Sequence, residues 1–269
     1  MCHKRIGMAF ILAIIWLFNC NTSCCRISET NQEHVLKVMS YNIRFGELAS
    51  LKKLAKFIKS ENPDLVALQE VDVRTYRKRA PHQNGKDFIT ELGYRTGMLT
   101  AYARTIDYAK GYYGIGILSK YPFLQTHKVL LPMPEGAKEQ RAFLSAEIEL
   151  PEGKTITFVC THLDHSSSEV RIMQVNALNA GVQIDGPVIV AGDFNAQPSS
   201  PEIKKGMAGW KQAGTADFTI PVDEPRSKID YIFCSPAKNW KVLDAVTPKS
   251  KLSDHFPVIA EVEWVESEK

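Results

Sequence analysis

"VAGDFNAQP", from Val190 to Pro198, joins the apolar run PVIVA to two polar side chains and then to a proline that ends any regular element. Side chains two positions apart in a strand point to the same side, so Asp193 and Asn195 can both face one pocket. The stretch therefore predicts a buried strand whose end carries a carboxylate and an amide.

Polar residues also end most of the other apolar runs. They are Asn42, Glu70, His162, Asp230, Asp254 and His255. The oxygens of Asp193, Asn195 and Glu70 form a donor set that suits Mg²⁺ or Mn²⁺, with water and substrate oxygens completing the ligand shell. Zinc fits this set less well, because the two cysteines of the domain are not spaced as ligands.

Two histidines add proton chemistry to this set. Asp230 and His255 supply a carboxylate–imidazole pair, in which the acid fixes the ring tautomer and the imidazole handles a proton. His162 can transfer the complementary proton, on the opposite side of the reacting group. Each residue alone is weak evidence, but metal, base and acid together predict metal-assisted hydrolysis of a phosphate ester.

Strands outnumber helices in the apolar pattern. Residues 34–43 and 65–71 read as strands, and the segment between them carries leucines at helical spacing up to Asn62-Pro63. Residues 141–162 read as a hairpin, and Ser166 to Glu169 has the spacing of a capping box. Hairpins thus alternate with strand–helix–strand units, which predicts an α/β fold with mixed sheets.

The composition suits a globular protein of one large domain or two small ones. With 269 residues, 44% hydrophobic and 23% charged, the chain has ample material for a core, and no Pro/Gly/Ser-rich linker divides it after residue 33. We therefore expect one domain over residues 34–266. The chain has 33 basic and 30 acidic residues, and removing the leader takes away two basic ones, Lys4 and Arg5. The remaining net charge is near +1, so bulk electrostatics do not predict a protein that coats nucleic acid.

The N-terminus has the pattern of an export signal. A basic MCHKR precedes the uncharged residues 6–18, a stretch of signal-peptide length that is short for a membrane span. We expect residues 1–25 to be a signal peptide and the protein to be exported, to the periplasm, to the outer membrane as a lipoprotein, or to the medium. Cys20 and Cys24 are candidate lipidation sites, and simple secretion is the alternative.

A basic cluster, RTYRKR, lies between Arg74 and Arg79 in an expected loop. Such a cluster is either a solvated loop or a surface that binds phosphate. With Lys86 it leaves open a nuclease whose loop follows a nucleic-acid backbone.

Seven motifs resemble, in their sequence and their order, those of the endonuclease/exonuclease/phosphatase superfamily. They are SYNIR, LQEVD, GIGILSKYP, THLDH, GDFNAQP, IDYIF and SDHFPV. The resemblance covers about residues 36–263 and implies a four-layered α/β sandwich, in which two mixed β-sheets pack face to face with helices outside. His162 matches the histidine-containing branch of deoxyribonuclease I, sphingomyelinases and inositol phosphatases, which makes DNA repair a less favoured function.

The resemblance also implies metal and phosphate ligands. Glu70 is similar to the family's principal metal ligand, Asn42 to a neighbour that holds metal or phosphate, and Asp254 to a second acidic ligand. Asn195 resembles the residue that orients the scissile phosphate. Arg141 is similar to an arginine that touches phosphate, with a structural salt bridge as the alternative.

The catalytic roles follow in the same way. Asp193 resembles the residue that positions or deprotonates the attacking water, and His255 the histidine oriented by Asp230 that contacts phosphate or acts as general base. The expected protein is an exported Mg²⁺-dependent phosphoesterase, a monomer acting on a phosphorylated small molecule, a lipid head group or nucleic acid. An extracellular nuclease and a non-catalytic, lipid-anchored binding protein on the same fold are the alternatives.

Overall fold

The computed structural model describes Met1, residues 34–182 and residues 186–265. The residues from 34 onward belong to one compact unit. Apart from Met1, the expected signal peptide with Cys20 and Cys24 lies outside the described residues. Among the residues that are described, no helix is long and apolar enough to cross a membrane.

The first half of the domain, together with its C-terminal strands, builds one six-stranded sheet. Its strands are β1 (His34–Asn42), β2 (Leu65–Val73), β3 (Leu99–Tyr108), β4 (Gly111–Ser119), β11 (Trp240–Val246) and β12 (Val258–Trp264). Their order across the sheet is β11-β12-β1-β2-β4-β3. β1 and β2 are parallel, while β12 and β4 run antiparallel to their neighbours, so the sheet is mixed.

A second six-stranded sheet is built from the middle of the chain. Its strands are β5 (Phe123–Leu130), β6 (Ala142–Glu149), β7 (Thr155–His162), β8 (Val188–Asp193), β9 (Lys211–Gln212) and β10 (Asp230–Ser235). Their order is β5-β6-β7-β8-β10-β9, with β7 and β8 parallel. The predicted hairpin over residues 141–162 is β6 and β7.

The helices cover the outer faces of the two sheets. They are α1 (Leu51–Glu61), α2 (Phe88–Thr96), α3 (Ser168–Gly181) and the short α4 (Pro201–Lys204). One apolar core joins the sheets to each other, a second lies under α1 and α2, and a third lies under α3. This arrangement confirms the expected four-layered sandwich.

Strand register brings polar strand ends together. Asp193, the last residue of β8, pairs with His162 at the end of β7 and with Asp230 at the start of β10. A β-carbon on Gly192 would lie only 2.2 Å from the carbonyl oxygen of Thr161, so glycine is required for this close approach of β7 and β8. The two sheets thus present their polar residues at one edge of the sandwich.

Some details differ from the sequence predictions. Helix α3 is capped by Ser167, whose hydroxyl accepts a hydrogen bond from the Val170 N–H at 3.3 Å, so the cap lies one residue beyond the predicted box at Ser166. The apolar pattern did not predict β3 and β5, because both are largely exposed and lack a buried run. Cys160 and Cys234 are free and buried.

Candidate active site

Asp193 lies at the centre of the polar strand ends and is 1% exposed. Its Oδ1 accepts a hydrogen bond from the backbone N–H of Asn195 at 2.9 Å, and its Oδ2 accepts one from the Asn42 side-chain amide at 3.1 Å. Burial, reinforced by the charge of Asp230, raises the pKa of Asp193 to about 7. This carboxylate can therefore exchange a proton near neutral pH.

His255 and Asp230 form a buried pair beside Asp193. The Nδ1 of His255 lies 3.0 and 3.2 Å from the two carboxylate oxygens of Asp230. Burial alone would lower the pKa of this imidazole, but the charge of Asp230 and its hydrogen bond raise it to about 10. His255 therefore carries a positive charge, and its Nε2 lies 3.8 Å from Oδ2 of Asp193.

His162 behaves in the opposite way. Its Nδ1 lies 2.9 Å from Nη1 of Arg141, which can only donate, so Nδ1 accepts and Nε2 carries the ring proton. Burial and the adjacent guanidinium hold the pKa of His162 well below its ordinary value. The neutral ring directs Nε2 toward Asp193, 3.5 Å from its Oδ2.

Glu70 enters the site through a β-bulge. Between Leu68 and Val71, β2 has one more residue than its partner strand β4, and Glu70 has the left-handed backbone angle φ = 58°. Such a conformation is costly for a residue with a side chain, and bulges of this kind redirect side chains. The bulge places the Glu70 carboxylate 3.2 Å from the Asn42 amide.

Asn42 joins the two sheets through its amide, since its Nδ2 donates to both Glu70 and Asp193. Burial raises the pKa of Glu70, and among the described residues only this amide donates a hydrogen bond to its carboxylate. The half-buried carboxylate of Glu70 and the buried one of Asp193 thus share one neutral donor. The cations His255 and Arg141 lie close to both. A divalent cation with oxygen ligands fits such a site.

A second donor group overlaps the first. Ligand atoms of Asp193, Asp230 and His255 all lie within 4.8 Å of one another, and all three residues are buried. This set offers a divalent ion two carboxylates and, when His255 gives up its proton, one imidazole nitrogen. It shares Asp193 with the set expected from donor chemistry, Asp193, Asn195 and Glu70, and differs from the set implied by the resemblance, Glu70, Asn42 and Asp254.

The family model described as "Endonuclease/Exonuclease/phosphatase family" matches residues 39–255. The chain belongs to the endonuclease/exonuclease/phosphatase family. The match includes Asn42, Glu70, Asp193, Asp230 and His255, which the structure brings together at one edge of the sandwich. The family resemblance drawn from the sequence motifs is thereby confirmed.

Solved structures of the family share this fold at low sequence identity. An endonuclease/exonuclease/phosphatase from Bacteroides vulgatus has a TM-score of 0.70 at 21% identity, covering 86% of this chain and 99% of its own. A mannosyl-6-phosphatase from Bacteroides thetaiotaomicron has a TM-score of 0.68 at 17% identity, with coverages of 84% and 99%. The 2',3'-cyclic phosphatase ANGEL2 has a TM-score of 0.66 at 16% identity, with coverages of 86% and 95%.

Two predicted residues of this family site also have partners outside the cluster around Asp193. The Asp254 carboxylate forms a salt bridge with Arg44 and accepts a hydrogen bond from Ser253 at 3.3 Å, and it is not part of the cluster around Asp193. Asn195 has φ = 49° and donates its side-chain amide to the carbonyl of Leu163 at 2.9 Å. Its backbone N–H, rather than its side chain, contacts Asp193.

Three residues of the site were not singled out as functional from the sequence. Tyr113, on β4, is 6% exposed, and its electrostatic neighbours include Glu70 and Arg141. Glu139 lies 3.1 Å from Arg141. Lys228 is 2% exposed, and its ammonium donates to the backbone carbonyl of Asp230 at 3.2 Å. The apolar pattern gave no signal for Glu139 or Lys228, whereas Tyr113 lies in a segment, residues 112–122, whose apolar pattern predicts a strand.

Two of the four cations of the basic loop, Arg77 and Arg79, are paired within the chain. Arg77 contacts both carboxylate oxygens of Asp72, at 2.6 and 2.9 Å, and its guanidinium stacks on the rings of Phe45 and Tyr108 at 4.1 and 4.2 Å. Arg79 forms a salt bridge with Glu47 at 2.7 Å. Arg77 therefore has a structural role in this loop.

Proposed function

We propose that the chain is an exported, divalent-metal-dependent phosphoesterase that hydrolyses a phosphate ester through in-line attack of water. The observation that carries this proposal is the convergence of Glu70, Asn42, Asp193, Asp230 and His255, which come from five strands or strand ends of both sheets. Membership in a family named for phosphoester hydrolysis supports it.

Glu70 would hold the metal beside Asp193, with the Asn42 amide fixing both carboxylates, and the ion would neutralise negative charge on the phosphoryl group. Asp193 accepts a proton from the attacking water, because its pKa lies near neutrality and two N–H donors fix both of its oxygens. The cationic His255 and the neutral Nε2–H of His162 face the same carboxylate and stabilise the charge that develops on the phosphate oxygens.

A small phosphorylated molecule is the substrate class that we favour. Lys249 pairs with Asp217 at 3.4 Å and Lys251 with Asp223 at 3.3 Å, on loops beside His255. Like Arg77 and Arg79, these cations already have partners in the chain, whereas a nucleic-acid backbone is bound through cations free to replace its counterions. The mannosyl-6-phosphatase and the 2',3'-cyclic phosphatase among similar structures support a phosphatase.

A substrate panel tests the activity. The protein is assayed with and without Mg²⁺ against p-nitrophenyl phosphate, bis-p-nitrophenyl phosphate, sugar phosphates, sphingomyelin, plasmid DNA and RNA, with His255→Ala as the blank. We expect cleavage of a small phosphate ester that is lost with EDTA and in the variant. Preferential cleavage of DNA or RNA would favour the nuclease, and cleavage of none of them would favour the binding protein.

Export is proposed from the leader sequence alone. We expect the mature N-terminus to lie between residues 20 and 26 and expect a lipid on Cys20 or Cys24. Intact-mass measurement of the protein from membrane and soluble fractions, compared with Cys20→Ser and Cys24→Ser, identifies the modified residue. A soluble mature chain without a lipid would instead indicate simple secretion.

A further inference from the structure

Arg141 is a buried cation with unused hydrogen-bonding capacity. It is 5% exposed, and its Nε is buried without a hydrogen-bond partner. Its Nη1 donates to His162, which fixes the guanidinium beside Asp193. An arginine in this position offers N–H groups to the phosphate oxygens of a substrate.

Glu139 supplies a competing negative charge. Its Oε1 lies 3.1 Å from Nη1 of Arg141, the one salt bridge of Arg141 within the described part of the chain. This oxygen is also buried without a well-aligned hydrogen-bond donor. The contact is therefore an attraction between charges with poor hydrogen-bond geometry, and a phosphate oxygen that can align with the guanidinium has an advantage over it.

Hydrogen bonds hold the chain on either side of Glu139, whereas within the described residues its Oε1 accepts none. The Lys138 N–H donates to the Asp164 carboxylate at 3.1 Å, and the Gln140 side chain donates to the carbonyls of Leu131 and Arg141 at 2.7 and 2.8 Å. The Glu139 side chain is 24% exposed and can rotate away from Arg141 without moving these anchors.

We propose that Glu139 is a specificity-determining residue that competes with phosphate for Arg141 and so lowers the affinity of the site for anions. The inference rests on the proposed phosphoesterase function. A phosphate reaching Arg141 must displace this carboxylate or accept its repulsion. The site thereby resists occupation by weakly held anions and by the released product.

Glu139→Gln tests this directly. Glutamine keeps the length of the side chain and an oxygen facing Nη1, but it removes the charge. We expect inorganic phosphate to bind about 10-fold more tightly to this variant in the presence of Mg²⁺, since charges this close at a partly buried site commonly interact by more than 1.4 kcal/mol. Isothermal titration calorimetry measures the change, and KM for p-nitrophenyl phosphate should fall in parallel.

Two controls isolate the effect. Glu135→Gln changes an exposed acid of the same loop and should leave phosphate binding unchanged. In an Arg141→Ala background, Glu139→Gln should give no gain, because the group for which it competes is absent. Equal or weaker binding by Glu139→Gln in an active enzyme overturns the inference and would mean that Glu139 orients Arg141. Absence of both binding and activity in the unmodified protein would overturn the proposed function as well.

Discussion

At the scale of single residues, the site separates two histidines that look alike in the sequence. His255 faces the carboxylate of Asp230 and gains a proton, whereas His162 faces the guanidinium of Arg141 and loses one. The neighbour therefore decides the charge of each ring. The motifs predicted the pairing of Asp230 with His255, but nothing in the sequence pattern placed the Arg141 guanidinium against His162, 21 residues away.

This pairing predicts the pH dependence of activity. Asp193 must lose a proton and His255 must keep one, so kcat/KM should rise through about pH 7 and fall through about pH 10. These values apply without a metal, and because the proposed activity requires the divalent ion, both limits of the active enzyme should lie at lower pH. Asp230→Asn removes the charge that raises the pKa of His255, so the alkaline limit should move to lower pH and the rate should drop about 10²–10⁴-fold. A pH–rate profile of both proteins checks this, and an unmoved alkaline limit would contradict the assigned pair.

Lys228 predicts a separate pH effect on stability. Burial lowers the pKa of its ammonium from 10.5 to about 8, so the folded state releases this proton at lower pH than the unfolded state does. The lysine therefore costs stability below pH 8, and this cost is relieved as the pH rises toward 10.5.

The free energy of unfolding of the wild type should rise by up to about 3 kcal/mol over that pH interval. That of Lys228→Met should not rise with it, because methionine carries no titrating group. Urea unfolding of both proteins at pH 7.5 and 9.5 measures the difference. A difference that does not change with pH would show that the ammonium is solvated or paired in the folded protein.

At the scale of elements, the end of β2 lowers the stability of the folded state at a residue that the candidate site uses. Burial raises the pKa of Glu70, so its carboxylate destabilises the folded state above that pKa, and its φ of 58° adds backbone strain. The sequence located Glu70 at a strand end but gave no sign of the bulge that directs it. A bulge depends on the partner strand β4, whose register no local pattern contains.

Glu70→Gly should therefore stabilise the metal-free protein by about 1–3 kcal/mol, because glycine accepts positive φ without strain and the buried charge is gone. The rise in melting temperature on adding Mg²⁺ should disappear. Arg74→Gly is the matched control, since Arg74 has φ = 57° at the end of the same strand but is exposed. Arg74→Gly should be stabilised only by the relief of backbone strain, and its melting temperature should still rise on adding Mg²⁺. Differential scanning fluorimetry with and without Mg²⁺ compares the two, and a Mg²⁺ response that survives in Glu70→Gly would place the ion elsewhere.

At the scale of the whole molecule, the site belongs to neither sheet alone. Asn42 and Glu70 come from the first sheet, and His162, Asp193 and Asp230 come from the second. The motifs predicted these residues, because each motif lies at the end of a single strand. The sandwich was predicted by the family resemblance of the motifs. Asp254 illustrates what the motifs lacked, since its salt bridge to Arg44 joins residues 210 positions apart. Only the packed structure decides which carboxylates remain available to a metal.

The apolar core between the sheets sets the distance between the two halves of the site. Ile232 is fully buried in that core, two residues after Asp230, whereas Ile58 of α1 is equally buried in the separate core beneath that helix. Replacing either by alanine should lower the free energy of unfolding by about 2–5 kcal/mol, because each leaves a cavity of similar size.

Only Ile232→Ala should also lower kcat at 25 °C, because relaxation around its cavity displaces β10 and the Asp230–His255 pair from Asp193. Structures of active sites tolerate little misplacement, and a shift of about 1 Å can cost as much as 10²-fold in rate. Steady-state kinetics and urea unfolding of the two variants separate the effects. An equal loss of kcat in Ile58→Ala would mean that general loosening, rather than the contact between the sheets, limits the reaction.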